Sequence, residues 1–253
     1  MSQVLEPELE ALLLRLVPNL EKEWAPAPQE ILEELEDRVE LTGHDFPQCH
    51  QWFMSKMGGS VGALEPSLGG FTAAKVLEAY ESATVDLGPK QFLIGRMPDP
   101  LMPLDVFYDF EHPVRDDALV CRAVVEAGPV VKMIETFREY IAVQALMNHR
   151  VMTAPQRCFG AFVTSSSGMG EKLDEVMGTL GFTTPVATGS YCGLYETEDM
   201  TMVARATITP ENEGIRVFHV SGPSVTAIRR LLGEIATATT FQVDADEWTP
   251  AAS

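Results

Sequence analysis

The chain has 253 residues, of which 45% are hydrophobic and 22% charged, and its formal net charge is −19. This length fits one large domain or two small ones with a substantial apolar core. The negative charge disfavours direct binding to a nucleic-acid backbone or to an anionic membrane, because both need clustered lysine and arginine side chains. It favours a strongly basic protein as partner, since opposite charges speed encounter.

The first eighty residues carry four amphipathic helical patterns, each with apolar side chains at helical spacing. They cover residues 6–17, 31–39, 47–57 and 73–80. The outer face of the second helix is acidic, which is typical of a solvated helix face. That face consists of Glu30, Glu33, Glu34, Glu36, Asp37 and Glu40.

The stretch Gly43–Leu64 organises the predicted first domain, because its helix carries one apolar stripe of a cysteine, two aromatic residues and a methionine. Asp45 is predicted to cap this helix, and Pro47 is predicted to occupy its first turn. Gly58 and Gly59 are predicted to end it in the left-handed conformation, which glycine adopts most easily.

The pattern then changes to that of strands, which are predicted at residues 91–95, 104–110 and 118–125. After Gly128 and Pro129, apolar residues at helical spacing from Val130 to Ile141 predict a closing helix. Helices followed by strands and a closing helix indicate an α+β domain over residues 1–148.

Residues 155–253 predict a second, smaller α+β domain of unknown role. Its patterns follow the order β-α-β-β-β-α-β, with a hairpin around Glu198 and Asp199. We expect a small open sheet with both helices on one face. The boundary between the domains is expected near residues 147–156, where the apolar periodicity stops.

The four cysteines form no CxxC pair and have no histidine at metal-ligand spacing, which disfavours a zinc site. Cys49 lies on an apolar stripe and is predicted to be a buried thiol, so we expect the reducing cytoplasm as the compartment. The acidic N-terminus lacks the pattern of a signal peptide, and no apolar run approaches the length of about 18 residues that a membrane span needs. We expect no cofactor and no bound metal.

A group of carboxylates is the strongest candidate site. Asp105 and Asp109 share a strand face by parity, and Glu111, Asp116 and Asp117 follow in and around the next turn. Three interpretations are open: a solvated sheet face, contacts to cations on a partner protein, or magnesium binding with acid–base catalysis. No GxSxG motif, P-loop or strand-linked GxGxxG motif is present.

Two further features have a structural and a functional interpretation. The loop SSSGMG at residues 165–170 precedes a predicted helix, and helix N-termini bind anions. This loop departs from the P-loop pattern, so a polar loop is the preferred interpretation. His219 lies within an apolar strand and is predicted to be a core or edge histidine rather than a catalytic base.

A series of features in chain order resembles the SUKH superfamily, many of whose bacterial members are immunity proteins of polymorphic toxin systems. The features are Trp24, QEILEELE, DFPQCHQWFMSKMGGSVGAL, a helix around VLEAY, an apolar strand at FLIG, LDVFYDF followed by RDD, and a closing helix at FREYI. His50 stands where the family often has tyrosine, and Phe53 and Met54 stand for Phe-Leu. The resemblance covers residues 24–146. It implies an α+β fold with a mainly antiparallel, curved sheet flanked by helices, and no shared catalytic residues.

The resemblance, the charge and the missing catalytic motifs together predict an immunity protein rather than an enzyme. Such a protein binds a cognate bacterial toxin, here a basic one of nuclease type, and neutralises it by covering its active site. The predicted partner contacts are Asp105, Asp109, Glu111, Asp116 and Asp117. One alternative is a regulatory or scaffold protein of the same fold, and another is a metal-dependent hydrolase that uses these carboxylates. Both a monomer and a dimer agree with the sequence.

Overall fold

A computed structural model describes residues 6–82, 87–97, 104–114, 117–124, 131–134, 136–206 and 214–249. The described chain is α+β, and every paired strand in its sheets is antiparallel to its neighbour. It divides into two compact units, Met1–Ile141 and Ala142–Ser253. The division falls within a helix, a few residues before the region of lost periodicity where the sequence predicted the boundary.

The first unit consists of helices followed by a four-stranded meander. Its helices are α1 (Pro7–Leu16), α2 (Gln29–Glu40), α3 (Gln48–Met57), α4 (Glu65–Leu68), α5 (Ala73–Ser82) and the start of α6 (Phe137–Leu146). Its strands are β1 (Trp24–Ala25), β2 (Ser60–Val61), β3 (Gln91–Met97), β4 (Leu104–Val114), β5 (Asp117–Val124) and β6 (Val131–Ile134). Strands β1 and β2 pair with each other, and the larger sheet has the order β3-β4-β5-β6.

Helix α3 supplies much of the core of the first unit, as its apolar stripe predicted. Trp52, Phe53 and Met57 are all buried, and Phe53 meets the ring of Phe137 on α6 edge to face at 5.3 Å. Aromatic pairs of this geometry add to the stabilisation that comes from burial alone. The strand β4 packs into the same core, where the ring of Tyr108 also contacts Phe137.

Three details around α3 differ from the predictions. Pro47 occupies the N-cap position rather than the first turn, so Asp45, two residues earlier, is not the N-cap. Gly58 has a φ of −63°, which is not left-handed. Glycine is needed at this end of the helix for close approach instead, because a Cβ on Gly58 would lie 2.7 Å from that of Ala27.

The closing helix of the first unit begins later than predicted. The segment Val131–Ile134 is strand β6, which pairs with β5, and α6 begins only at Phe137. A capping box sets this start: the Thr136 hydroxyl accepts a hydrogen bond from the amide of Glu139, and the Glu139 carboxylate accepts one from the amide of Thr136. This reciprocal pair satisfies two amides that a helix N-terminus otherwise leaves free.

The second unit is one five-stranded sheet with helices. It begins with the end of α6 and a π-helical turn, Met147–Val151. Its strands are β7 (Gln156–Val163), β8 (Cys192–Glu196), β9 (Thr201–Ala206), β10 (Ile215–Gly222) and β11 (Gln242–Thr249), and its other helices are α7 (Met169–Thr179) and α8 (Val225–Ala238). The predicted order β-α-β-β-β-α-β is confirmed.

The strands of this sheet have the order β11-β7-β10-β9-β8. Residues of both α7 and α8 belong to one apolar cluster with Phe162 and Phe218 of the sheet, so the two helices cover the same face, as predicted. Strand β11 is longer than the predicted final strand and pairs along β7. Among the described residues of the whole chain, no helix combines the length and apolar character required to cross a bilayer.

Candidate functional site

Asp105, one of the predicted partner contacts, lies inside the first unit and has no exposed surface. Its carboxylate pairs with the guanidinium of Arg96 on the adjacent strand, with 2.6 Å between Nε and Oδ1 and 3.3 Å between Nη2 and Oδ2. The register of the sheet places these two residues directly opposite each other. A two-pronged pair of this kind satisfies a buried carboxylate within the fold.

Asp109 and Glu111 differ in exposure although they are close in sequence. Asp109 is 7% exposed, and its carboxylate accepts a hydrogen bond from the amide of Glu111. It also lies 2.9 Å from the Nδ1 atom of His112, a half-exposed side chain. Glu111 is exposed, so it is available to a partner.

Asp117 is partly buried and serves the backbone. Its carboxylate accepts hydrogen bonds from the amides of Ala118 and Phe137, and it thereby joins the start of β5 to the start of α6. Burial raises the pKa of this carboxyl to about 7, because it penalises the charged form. Asp116 lies outside the described residues. The predicted carboxylates therefore do not form one exposed acidic surface among the residues that the structure describes.

Other ionisable groups of the first unit also lie in its interior. Glu6 pairs with Arg138, with 2.6 Å between Oε2 and Nε. Burial, together with the nearby charges of Asp117 and Glu6, raises the pKa of the Cys49 thiol well above its usual value. A reactive cysteine needs the opposite shift, because the thiolate is the nucleophile. This group of side chains therefore has the chemistry of a structural network.

The described residues contain no group of three or more histidine, cysteine or acidic side chains placed to hold a metal ion. The hydrolase alternative thus has no described ligand set.

A groove between α2 and α3 is lined by several acidic side chains. It encloses about 340 Å³. We call it the acidic groove, and it is lined by Leu32, Glu36, Val39, Glu40, Asp45, Phe46, Gln51, Met54 and Ser55. Its three carboxylates are exposed, and no lysine, arginine or histidine lines it. The acidic groove thus offers negative charge without a competing internal cation.

Helical periodicity explains why this groove has an apolar floor and an acidic rim. Leu32, Glu36 and Val39 are spaced by four and three residues on α2, so they follow one side of the helix. Val39, Phe46 and Met54 are buried and form the floor. The floor and rim together match a cationic side chain with an aliphatic stem, because such a stem packs on apolar surface while its charge reaches a carboxylate.

The loop beside the acidic groove is fixed by local contacts and carries an exposed apolar side chain. The side-chain amide of Gln51 donates a hydrogen bond to the backbone carbonyl of Phe46 at 2.7 Å. The ring of His44 stacks on that of Phe110, with 4.5 Å between the ring centres. This contact holds the loop against β4, and Phe110 directly precedes Glu111 on that strand. Leu41 follows the end of α2 and is 86% exposed.

Comparisons of this chain with protein-family models, with curated proteins and with solved structures find no match. The resemblance to the SUKH superfamily therefore rests on the residues and their order, and it stays a prediction.

Two cavities lined by described residues of the second unit differ in character. The larger, of about 1000 Å³, lies between α7 and α8 and is lined by two basic and two acidic side chains among threonines and small residues. The other, of about 320 Å³, includes Arg157, His219 and Glu247. Burial lowers the pKa of His219 to about 4, which agrees with the prediction that it is a core or edge histidine. Both cavities mix charges of opposite sign, unlike the acidic groove.

The sequence does not predict the acidic groove as a site, although its three acids are singled out. Glu36 and Glu40 were interpreted as part of a solvated helix face, and Asp45 was interpreted as a helix cap. The sequence signal that could have revealed this groove is the helical spacing of its acids. Glu36 and Glu40 lie next to the apolar stripe of α2 rather than opposite it. What the sequence does not contain is the position of α3, which turns the side of one helix into a groove.

Proposed function

We propose that this chain is an immunity protein that binds a basic bacterial toxin and neutralises it by occlusion. The observation that carries the proposal is the acidic groove. It has an apolar floor and three exposed carboxylates, and its lining residues include no lysine, arginine or histidine. A toxin that acts on nucleic acid needs lysine and arginine where it grips phosphates. An acidic surface that pairs with those side chains covers the region through which the toxin acts.

Charge and apolar contact contribute differently to such a complex. The net charge of −19 raises the encounter rate with a basic toxin and makes that rate depend on salt. A few well-packed side chains hold the complex once it has formed. The floor of the acidic groove and the exposed Leu41 are placed to supply this apolar contact.

The arrangement of the first unit supports a SUKH-like fold as part of the proposal. An acidic helix α2 precedes α3, which ends in two glycines, and α5, β3 and β4 follow in the order on which the resemblance rests. Helix α6 closes the unit at FREYI. Of the carboxylates first predicted as partner contacts, Glu111 is the exposed one among those described, and we include it beside the acidic groove.

Co-expression with toxins encoded beside the gene tests the proposal. A cognate toxin should arrest growth alone and should fail to do so when this protein is present, and the two proteins should purify together. Failure to rescue growth from any neighbouring toxin, with no basic partner in the purified material, would contradict the proposal.

Matched charge variants then test the site. The groove variant combines Glu36→Gln, Glu40→Gln and Asp45→Asn. The control combines Glu21→Gln, Asp37→Asn and Asp199→Asn, which changes the net charge equally at exposed acids outside the acidic groove.

Exposed ion pairs contribute roughly 0.2–1 kcal/mol each, so we expect the groove variant to bind the toxin about 3- to 150-fold more weakly. The control should change affinity little, and the difference should shrink at high salt. Equal weakening by both variants would show that total charge, and not the acidic groove, carries the binding.

A further inference from the structure

The smaller cavity of the second unit, of about 320 Å³, lies on the face of the five-stranded sheet that α7 and α8 do not cover. Phe162 and Phe218 belong to the apolar cluster under those helices. Neighbouring residues of a strand point to opposite faces, so Arg157, Phe159 and His219 lie on the other face, where they line the cavity. We call this space the sheet cavity.

The register of three neighbouring strands brings the polar side chains of the sheet cavity together. Phe159 on β7 is directly opposite His219 on β10 and Glu247 on β11, and Arg157 is directly opposite Thr249. The register of β11 shifts just before Glu247. Irregularities of this kind redirect side chains and are common beside binding sites.

A π-helical turn, Met147–Val151, and the residue after it provide another part of the lining. The Arg157 Nη1 atom donates hydrogen bonds to the carbonyls of Met152 at 2.7 Å and Ala154 at 3.4 Å, which ties the end of this turn to β7. The Met152 side chain is 48% exposed and lines the sheet cavity. The turn therefore adds a fixed apolar wall to the polar groups of the strands.

One edge of the Arg157 guanidinium remains available to a ligand. Its two hydrogen bonds both use Nη1, and within the described ranges no group accepts a hydrogen bond from its Nε or Nη2 and no carboxylate pairs with it. The Nε and Nη2 atoms form one side of the planar guanidinium. Such a side binds both oxygens of a carboxylate at once.

Glu247 gives the same cavity a negative charge. This side chain is exposed, and it has no ion pair with any cation among the residues that the structure describes. Glu247 is opposite Phe159, so it is the diagonal neighbour of Arg157, and diagonal neighbours on antiparallel strands lie roughly 7–8 Å apart. Two opposite charges that face one cavity without pairing leave room for a ligand that carries both.

The space between these charges has an aromatic surface. The ring of Phe159 lies 4.8 Å from that of His219, at an angle of 42°. Burial, together with the nearby charge of Arg205, lowers the pKa of His219 to about 4, so this ring is neutral at pH 7. A neutral ring pair and the thioether of Met152 suit an aromatic group of a ligand.

We propose that the sheet cavity binds an α-amino acid with an aromatic side chain. The free edge of Arg157 holds its carboxylate, Glu247 holds its ammonium group, and Phe159 and Met152 pack against its ring. The volume of the cavity lies near the lower end of the range of about 300–1,000 Å³ for ligand pockets, which agrees with a small ligand. This binding is independent of the proposed toxin contact, which lies in the first unit.

Titration of the full-length, ¹⁵N-labelled protein with L-phenylalanine at pH 7 tests the proposal. We expect saturable shifts of the amide signals of Phe159 and Glu247. Two analogues each lack one charge: 3-phenylpropionate has no ammonium group, and 2-phenylethylamine has no carboxylate. Each should bind at least about threefold more weakly than L-phenylalanine, because each loses one ion pair.

Variants of the two charged residues assign the contacts. Glu247→Gln should weaken L-phenylalanine binding about threefold and should not weaken that of 3-phenylpropionate. Arg157→Met should weaken both carboxylates about tenfold and leave 2-phenylethylamine unaffected. The matched control is Asp244→Asn, which removes an exposed acid of the same strand outside the sheet cavity and should change none of these affinities.

The absence of saturable shifts with L-phenylalanine would overturn the proposal. So would an equal effect of Glu247→Gln on L-phenylalanine and 3-phenylpropionate, or an equal loss in Asp244→Asn. If Arg157→Met does not fold, because its hydrogen bonds to the π-helical turn are lost, the comparison of the two carboxylates in Glu247→Gln decides the matter.

Discussion

His50 should make the first unit lose stability as the pH falls below about 6.5. This side chain is fully buried on α3, its ring stacks on Phe46 at 4.6 Å, and Phe92, Tyr108 and Phe137 also surround it. Both ring nitrogens are without a hydrogen-bond partner. This apolar surrounding disfavours the imidazolium and lowers the pKa of His50 from 6.5 to about 3.

The sign and size of the effect follow from the two pKa values. Below pH 6.5 the unfolded chain binds a proton at this position and the folded chain does not, so falling pH favours unfolding until about pH 3. At pH 5 the contribution of His50 alone is a loss of about 2 kcal/mol relative to pH 7.5, since each pH unit below 6.5 contributes about 1.4 kcal/mol. This value is the same for any folded pKa well below 5.

The His50→Phe variant removes the titrating group while keeping an aromatic ring among the aromatic residues that surround this position. Any packing change applies at both pH values, so the comparison is between the pH dependence of the variant and that of the native protein. Urea unfolding at pH 7.5 and pH 5, followed by tryptophan fluorescence, measures it in the background Trp248→Phe, because Trp24 and Trp52 both belong to the first unit. With a urea dependence of about 2 kcal/mol per molar, the native midpoint should fall about 1 M further than that of the variant.

An NMR titration of the histidine rings provides the refuting observation. The prediction is wrong if the His50 signal titrates near pH 6.5 in the folded protein. It is also wrong if the native protein and the His50→Phe variant lose the same stability at pH 5, because the surrounding rings then do not exclude the proton.

Three further predictions concern single contacts. Asp105→Ala should destabilise the first unit by roughly 3 kcal/mol in urea unfolding, because it leaves the partner charge of Arg96 without its ion pair, and a loss below 1 kcal/mol would contradict a buried pair. Because folding raises the pKa of Asp117 to about 7, this carboxyl contributes stability at pH 4 that is lost by pH 7, opposite in sign to the His50 effect; Asp117→Asn should therefore lose more stability than the native protein as the pH falls from 7 to 4, and an equal loss in both would exclude this source. The hydroxyl of Ser224 accepts a hydrogen bond from the amide of Ala227 at the start of α8, so Ser224→Ala should cost about 1 kcal/mol in thermal unfolding, whereas Ser224→Asp, which keeps a cap, should cost little.

The sequence predicted most helices and strands because their apolar periods are long and regular. The segment after Pro129 was interpreted wrongly, since Val131 and Ile134 fit a short helical pattern as well as a strand. A local signal was present: the Thr-x-x-Glu of Thr136 and Glu139 forms the capping box that starts α6. We predicted the helix start from the apolar periodicity and not from this capping box. The capping box marks the observed start of α6.

The site was harder to predict because burial and charge pairing are set by distant residues. Parity placed Asp105 and Asp109 on one strand face correctly, but whether that face is solvated depends on what covers it. Asp105 is neutralised by Arg96, which is opposite it only through the register of β3 and β4. The acidic groove likewise depends on the placement of α3 beside α2. No local pattern contains these long-range relations.

The strand order of the second unit has a consequence for synthesis on the ribosome. Strand β7 is made first in its sheet, yet one of its two neighbours is β11, the last strand described. The sheet therefore cannot be completed until Gln242–Thr249 has emerged, whereas each strand of the first unit's meander pairs with one made just before it. A nascent or prematurely terminated chain that stops before Gln242 leaves the edge of β7 bare, and an unprotected edge of this kind invites pairing with other chains.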